Sequence, residues 1–344
     1  MKGFGCFDFI DVRDGRLEIT GWSSGPAASI DEFRIELDGV PVASTGALER
    51  PDVLAAAPAR TGWSTAGFEA SIACEGAGLS DWVRIAAIAR CQGADVATID
   101  TAYVRDFAAG LPLPPARLRE RICGSESEPY YWTSAVRSLG EFLDAYRAHA
   151  DLASVRALLD WGCGCGRLTS LSARFLPHAA IHGCDIDEEA IAWCREHLAP
   201  SRFRAIPLRP PTDYEDTFLD LVLGYSVCSH LSRADQHAWL EELERLLVPG
   251  GLALLSVHGT FAAGSHHHSP ETRAVIAEDL AREGISDRVP DVRLDGVAPE
   301  GYYLGVFQTP EWTREHWSRH FEVLEVRERA MAGYQDLVVL KKRG

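Results

Sequence analysis

The feature that most constrains this chain is the passage from residue 155 to residue 258, where short apolar runs alternate with stretches of helical periodicity. Val155–Trp161 is apolar but for Arg156 and Asp160, and a helix is predicted to start near Arg167. Ala179–Cys184 precedes a second helix over about Glu188–Leu198. Leu219–Leu223 is apolar but for Asp220, and Arg233–Leu247 is amphipathic, ended by Pro249-Gly250-Gly251. Leu252–His258 is the next strand. Mostly apolar strands separated by helices require a parallel sheet covered on both faces, wound with right-handed crossovers. An α/β fold follows. A helix over about 133–149 precedes it, where Val136, Leu139, Phe142, Leu143 and Tyr146 recur at helical spacing.

The first hundred residues obey a different period. Arg16–Trp22 and Phe33–Leu37 alternate apolar and polar side chains, and Gly67–Ile72 and Trp82–Ala89 are further strand candidates. Turn signals separate them: Asp14-Gly15, Ser24-Gly25-Pro26 and Asp38-Gly39, the last a hairpin candidate before Val40-Pro41-Val42. Short strands at this spacing suggest a small all-β sandwich over residues 1–108. The proline-bearing stretch 110–116 reads as an extended linker within residues 109–128, and the α/β domain is expected over 129–344. A chain of 344 residues has room for two such domains.

Charge narrows the partners. Fifty acidic residues against 34 basic ones give a net charge of −16, and Lys and Arg are nowhere concentrated. Binding to phosphate backbones needs the opposite balance, so no nucleic acid and no anionic membrane surface is expected. No apolar run approaches the roughly 18 residues of a transmembrane helix, and Asp8, Asp11 and Asp14 interrupt any secretory core. The nine cysteines include Cys163, Cys165, Cys184, Cys194 and Cys228 within apparent core segments. They read as small buried hydrophobes of a reducing, cytoplasmic setting, and Cys163-x-Cys165 has no second pair at zinc-site spacing.

Ligands of an open parallel sheet bind beyond the carboxyl ends of its strands. The first strand ends at Asp160, followed by Gly162, Gly164 and Gly166. Glycines allow a sharp turn and close backbone approach, and the following helix N-terminus presents free N–H groups to an anion such as an amino-acid carboxylate. Asp160 suits the cationic amino group of the same moiety. The dinucleotide fingerprint Gly-x-Gly-x-x-Gly is not met, since the third glycine comes one residue early and position 167 is Arg. On spacing alone the loop is a nucleotide-cofactor site or a ligand-free glycine turn. The strand ending at Asp185, 19 residues beyond Gly166, adds a carboxylate placed to accept both hydroxyls of a ribose. Asp187, followed by Glu188-Glu189, reads as a helix cap.

Four motifs occur in order: Asp160–Leu168, Gly183–Asp187, Asp220–Leu231 and Leu246–Leu252. Together they resemble the class I S-adenosylmethionine-dependent methyltransferases, over roughly residues 130–344. The resemblance implies a seven-stranded Rossmann-like sheet ending in an antiparallel hairpin, for which Phe321–Val326 and Asp336–Leu340 are suited. It implies S-adenosylmethionine as cofactor, held by Asp160, Gly162, Gly164, Gly166, Asp185, Ile186 and Ser226. One departure is plain. After the third strand, 206–212 offers no acidic or amide partner for adenine before Thr212 or Asp213, which leaves backbone groups.

Methyl transfer from a sulfonium depends mainly on in-line positioning; a hydroxyl acceptor also benefits from a base, for which histidine, with a pKa of about 6.5, is suited. His230, in Ser226–Leu231, and His258, ending the fifth strand, are the catalytic candidates; each could equally be a loop histidine bonded to backbone. Tyr130 and Tyr131 read as core aromatics, with a place over the cofactor as the alternative. Residues 259–309 form a long insertion, read as a substrate cover, with a helix starting at Ser269-Pro270. Its Ser265–His268 run reads as a solvated loop rather than a metal site. Tyr302, Tyr303 and Phe307-Gln308-Thr309, with Gln335-Asp336, are candidates to line the acceptor pocket.

Gly21-Trp22, Asp38-Gly39, Arg50–Val53 and Gly67-Phe68 resemble a small β-sandwich module fused to bacterial sugar-handling enzymes. A bland alternative has Trp22 and Phe68 in the core and Arg50 paired with Asp52. The resemblance implies a glycan acceptor, with methylation of a polysaccharide or glycolipid sugar hydroxyl as the expectation. A small-metabolite methyltransferase and a non-catalytic glycan-binding scaffold are the alternatives.

Overall fold

The computed structural model describes residues 4–27, 29–56, 64–74, 82–104, 110–264, 268–291 and 296–344. The chain divides into two compact units, residues 1–109 with 132–141, and residues 110–131 with 142–344.

The first unit carries seven strands: β1 (Phe4–Arg13), β2 (Arg16–Gly25), β3 (Glu32–Leu37), β4 (Val40–Gly46), β5 (Ser64–Ala73), β6 (Trp82–Cys91) and β7 (Ala94–Val104). They form two antiparallel sheets, β1-β2-β5 and β4-β3-β6-β7. Their hairpins turn on Asp14-Gly15, Asp38-Gly39 and Gln92-Gly93, each with both residues at positive φ. That is the type I′ geometry whose twist matches the strands it joins. Phe68 of β5 meets Phe33 of β3 at 4.8 Å and Phe7 of β1 at 5.6 Å between ring centroids, so aromatic packing links the two sheets. A short helix α1 (Pro51–Ala56) follows β4. Arg50 pairs with Asp52 and Asp8, both at 2.6 Å, as the bland reading has it. Phe68 is core, whereas Trp22 is only half-buried.

The stretch expected to be all linker contains a helix, α2 (Ala116–Cys123), closed by Gly124 at positive φ. Its few apolar residues, Leu118 and Ile122, are one turn apart and pack toward Cys165 and Ala190. Arg121 ties it to Asp187 at 2.7 Å. Helix α3 (Glu128–Arg147) starts one turn earlier than its apolar pattern, because Ser127 caps it and Pro129 occupies its first turn.

The remaining elements are β8 (Ala157–Trp161), α4 (Arg167–Phe175), β9 (Ala180–Asp185), α5 (Glu188–His197), β10 (Arg202–Ala205), β11 (Leu219–Gly224), α6 (Arg233–Leu246), β12 (Leu247–Val257), α7 (Thr260–Ala263), α8 (Pro270–Glu283), β13 (Ile285–Pro290), β14 (Leu304–Gln308), α9 (Pro310–Trp317), β15 (Glu322–Met331) and β16 (Gln335–Lys341). Seven of these strands make one sheet in the order β10-β9-β8-β11-β12-β16-β15. β10, β9, β8, β11 and β12 run parallel, and β16 and β15 antiparallel, as the resemblance implied. The central strands are buried on both faces, which explains their mostly apolar sequences. The insertion 259–309 is not a bare loop: α7, α8 and the antiparallel pair β13–β14 occupy it.

Candidate active site

Because β16 runs against its neighbours, its first residue lies at the carboxyl edge of the sheet, with Asp336 opposite Val257. Reading along that edge brings together Asp185 of β9, the glycine loop after β8, Ser226 and His230 after β11, His258 after β12, and Gln335. All the residues singled out for cofactor or chemistry therefore share one edge.

Gly162, Gly164 and Gly166 have φ of +73°, +52° and +69°, a backbone that other residues adopt only under strain. Protein packing also demands them. A Cβ at Gly162 would strike Val227, one at Gly164 would lie 2.6 Å from Ile122 of α2, and one at Gly166 would lie 2.7 Å from Leu198. The sequence argument had reserved that space for a ligand; the nearest neighbours are side chains of the chain itself.

Asp160 is buried, and its Oδ2 accepts a hydrogen bond from the Thr169 hydroxyl at 2.6 Å. Burial pushes its carboxyl up to about 6, against the opposing pull of Thr169 and of the Arg167 guanidinium. Arg167, buried at the start of α4, stands 4.9 Å over the Tyr225 ring. A buried carboxylate held this far from its ordinary range is a site for an added cation. Asp185 accepts from the Gly164 N–H through Oδ2 at 2.7 Å and from the Asp187 N–H through Oδ1 at 2.9 Å. A carboxylate offers about four lone-pair sites, so two further donors fit, as a ribose diol requires. Burial raises the Asp185 carboxyl as well. Asp187 caps α5, taking the Glu189 and Ala190 N–H groups at 3.1 Å each. Ile186 lies between the two acids, half-buried against the main core.

Thr212 and Asp213 are engaged elsewhere, Thr212 with Glu242 at 2.5 Å and Asp213 with Arg204 at 2.9 Å. The Leu208 carbonyl accepts from Trp239 Nε1 at 3.4 Å and from the Tyr302 hydroxyl.

At the other end of the edge a polar cluster surrounds both histidines. Ser226 is a non-glycine residue at φ +59°, a strained backbone of the kind found at functional sites. Its Oγ lies 2.8 Å from Ser229 Oγ and 3.3 Å from His230 Nε2. His230 Nδ1 is 2.9 Å from the Leu304 carbonyl. A carbonyl only accepts, so Nδ1 carries the proton and Nε2 keeps its lone pair. Asp291 Oδ2 lies 3.6 Å from the same Nδ1, and Tyr303 stacks on the ring at 4.1 Å. His258 stacks on Phe307 at 5.2 Å and meets the Tyr334 edge at 5.7 Å.

Several sequence candidates fall outside this cluster. Gln308 is buried and bonds Thr313 and Gln236, and Thr309 caps α9, so both serve packing. Tyr302 reaches Leu208 rather than the histidines. Asp336 accepts from the Arg329 N–H at 2.8 Å. Tyr131 is core, with its hydroxyl donating to the Cys165 carbonyl at 3.4 Å, but Tyr130 is 43% exposed, so the core reading fails there. Residues 265–267 of the histidine run lie outside the described residues; His268 packs edge-on to Phe307 at 5.2 Å. Sequence reasoning missed Asp291 and Ser256, which only tertiary contacts bring to the site, and Ser229, which stands beside His230 in the chain.

Residues 158–251 match the model of a methyltransferase domain. That segment runs from β8 to β12 and contains Asp160, the three glycines, Asp185, Ser226 and His230. Over that segment the chain therefore carries a methyltransferase domain. Among solved structures it is similar to the PH0226 protein of Pyrococcus horikoshii OT3, at 18% identity and TM-score 0.44, covering 63% of this chain and 92% of that one. It is also similar to S-adenosylmethionine-dependent methyltransferases from Methanosarcina mazei (16%, TM-score 0.43) and Mesorhizobium loti (16%, TM-score 0.41), each covering 58% of this chain and 97% of the other.

Proposed function

We propose that the chain transfers the methyl group of S-adenosylmethionine to a hydroxyl, and that the acceptor is a sugar of a bacterial polysaccharide or glycolipid. The observation that carries hydroxyl transfer is the His230 pair of contacts, with Nδ1 2.9 Å from the Leu304 carbonyl and Nε2 3.3 Å from Ser226 Oγ at the sheet edge. The cofactor supplies an electrophilic methyl. Asp160 would hold its ammonium, Asp185 its ribose diol and the loop 162–166 its carboxylate, with Ile186 and Ser226 bordering the same edge. His230 would take the acceptor proton through Nε2 as the oxygen–methyl bond forms and the methyl–sulfur bond breaks, its electron pair staying on the sulfur of the departing thioether. Asp291, 3.6 Å from Nδ1, stabilises the resulting imidazolium. His258 bears on the acceptor from the neighbouring strand.

The glycan reading rests on the resemblance of the amino-terminal β-sandwich module to those of sugar-handling enzymes. The half-buried rings of Tyr303 and Tyr334 support it, since aromatic faces suit the C–H faces of sugars. They equally suit a small aromatic metabolite, which is the second reading. Labelled-methyl transfer into a panel of oligosaccharides and phenolic aglycones separates the two. Label in saccharide O-methyl groups supports the proposal, and label confined to aglycones overturns it. The net charge of −16 and the free cysteines accord with an acceptor other than nucleic acid and with a cytoplasmic enzyme.

A further inference from the structure

The loop that carries His230 is held at both ends. At its start the Ser226 N–H donates to Ser256 Oγ at 2.7 Å, and the Gln335 amide donates to Ser226 Oγ at 2.8 Å. At its end the 3-10 turn Cys228–His230 and the following Leu231 lie against the side chain of Gln236, in the first turn of α6. Gln236 is fully buried among Trp317, Thr313 and Gln308, which are buried as well. Its amide orientation is fixed from two sides. An indole N–H only donates, so Trp317 Nε1, 3.2 Å away, bonds Gln236 Oε1. Thr313 gives its hydroxyl proton to the Thr309 carbonyl at 2.9 Å and accepts from Gln308 Nε2 at 2.8 Å, which turns Gln308 Oε1 toward Gln236. Gln236 Nε2 therefore donates to the Cys228 carbonyl at 2.9 Å, to Gln308 Oε1 at 3.0 Å and to the Leu231 carbonyl at 3.3 Å. The two carbonyls straddle His230 in the chain. Gln308 belongs to β14, whose Leu304 carbonyl meets His230 Nδ1.

We infer that Gln236 is a positioning residue for His230, its amide fastening the turn 228–231 to strand β14 so that the ring is set by its own turn and by the strand it contacts. This deepens the hydroxyl-transfer reading and rests on it. Gln236 lies in the core and acts only through the turn. A leucine there would leave buried acceptors and the Trp317 N–H without a partner. A glutamate would keep the acceptor for Trp317 and set an oxygen against the carbonyls.

Amide hydrogen exchange reads the hold on the turn without turnover. In Gln236→Leu the amides of 228–231 are expected to exchange about 10-fold faster, with those of β8 and β9 unchanged. Binding of S-adenosylmethionine by calorimetry should be unchanged, while kcat for labelled-methyl transfer into the oligosaccharide panel falls about 10-fold. Gln236→Glu carries the test if the leucine variant does not fold. Its buried carboxyl regains a donor when protonated, so its exchange and its rate relative to the parent should recover toward about pH 6 and worsen toward about pH 9. Exchange that is unchanged at 228–231, or that speeds equally in β8 and β9, overturns the inference. So does a loosened turn with parental kcat in an enzyme that His230→Gln disables. If the turn loosens and His230→Gln turns over at the parental rate, the base assignment fails and the hold of Gln236 on the turn stands.

Discussion

Asp185 and Gly164 are joined by a hydrogen bond from the Gly164 N–H to Asp185 Oδ2 at 2.7 Å. It ties the tip of β9 to the glycine loop after β8, so the carboxylate proposed to hold the ribose also shapes the loop proposed to hold the amino-acid end. Asp185→Asn keeps the size but loses the charge and one acceptor. Charge-assisted hydrogen bonds contribute about 1.5–3 kcal/mol each, so S-adenosylmethionine should bind roughly 10- to 100-fold more weakly by titration calorimetry. Binding unchanged within twofold would remove Asp185 from the site.

Asp160 links stability to pH. Its folded value of about 6 lies above its unfolded value of 3.8, so the folded protein holds the extra proton between them. The stabilisation is complete below pH 3.8 and is lost as pH rises through 6, by up to about 3 kcal/mol. Asp160→Asn removes that loss. The variant without cofactor is expected to melt higher than the parent at pH 7.5, with the advantage shrinking toward pH 4.5. The same change should weaken binding of S-adenosylmethionine at pH 7.5, and in the parent affinity should fall as pH drops below 6. A variant that melts lower at pH 7.5 would show that Asp160 is paired more completely than its surroundings indicate.

Gly162→Ala should fail for two reasons. Alanine resists a φ of +73°, and its methyl would strike Val227. Denaturant unfolding should show a loss of about 1–3 kcal/mol. Gly15→Ala is the comparison: it has a similar φ of +72° but open space, so only the backbone cost of about 1 kcal/mol applies. Equal losses at the two positions would remove packing from the explanation.

The parallel sheet was legible because central strands such as Leu219–Gly224 are buried on both faces and so mostly apolar, Asp220 being the exception that accepts the Arg156 and Ala157 N–H groups. Helix α2 was hidden by its composition, Ala-Arg-Leu-Arg-Glu-Arg-Ile-Cys, where only Leu118 and Ile122 betray a buried face. Their one-turn spacing, with Gly124 as a C-cap, was the available signal. At the site, Asp160, Asp185 and His230 stand at strand ends, and that rule found them. Asp291, Ser256 and the Leu304 carbonyl are brought in by the insertion and by β12, through contacts that no local pattern encodes. The Gln335 amide was noted for its place near the last strand, but its partners depend on β16 running antiparallel beside β12.

The central claim, hydroxyl methylation with His230 as base, meets its most direct test in single-turnover transfer of labelled methyl by His230→Gln beside the parent, at saturating S-adenosylmethionine. The account expects label in an O-methyl group from the parent, and a rate at least about 100-fold lower from the variant, with cofactor affinity unchanged. A variant rate within threefold of the parent, or label on nitrogen or carbon, would contradict it.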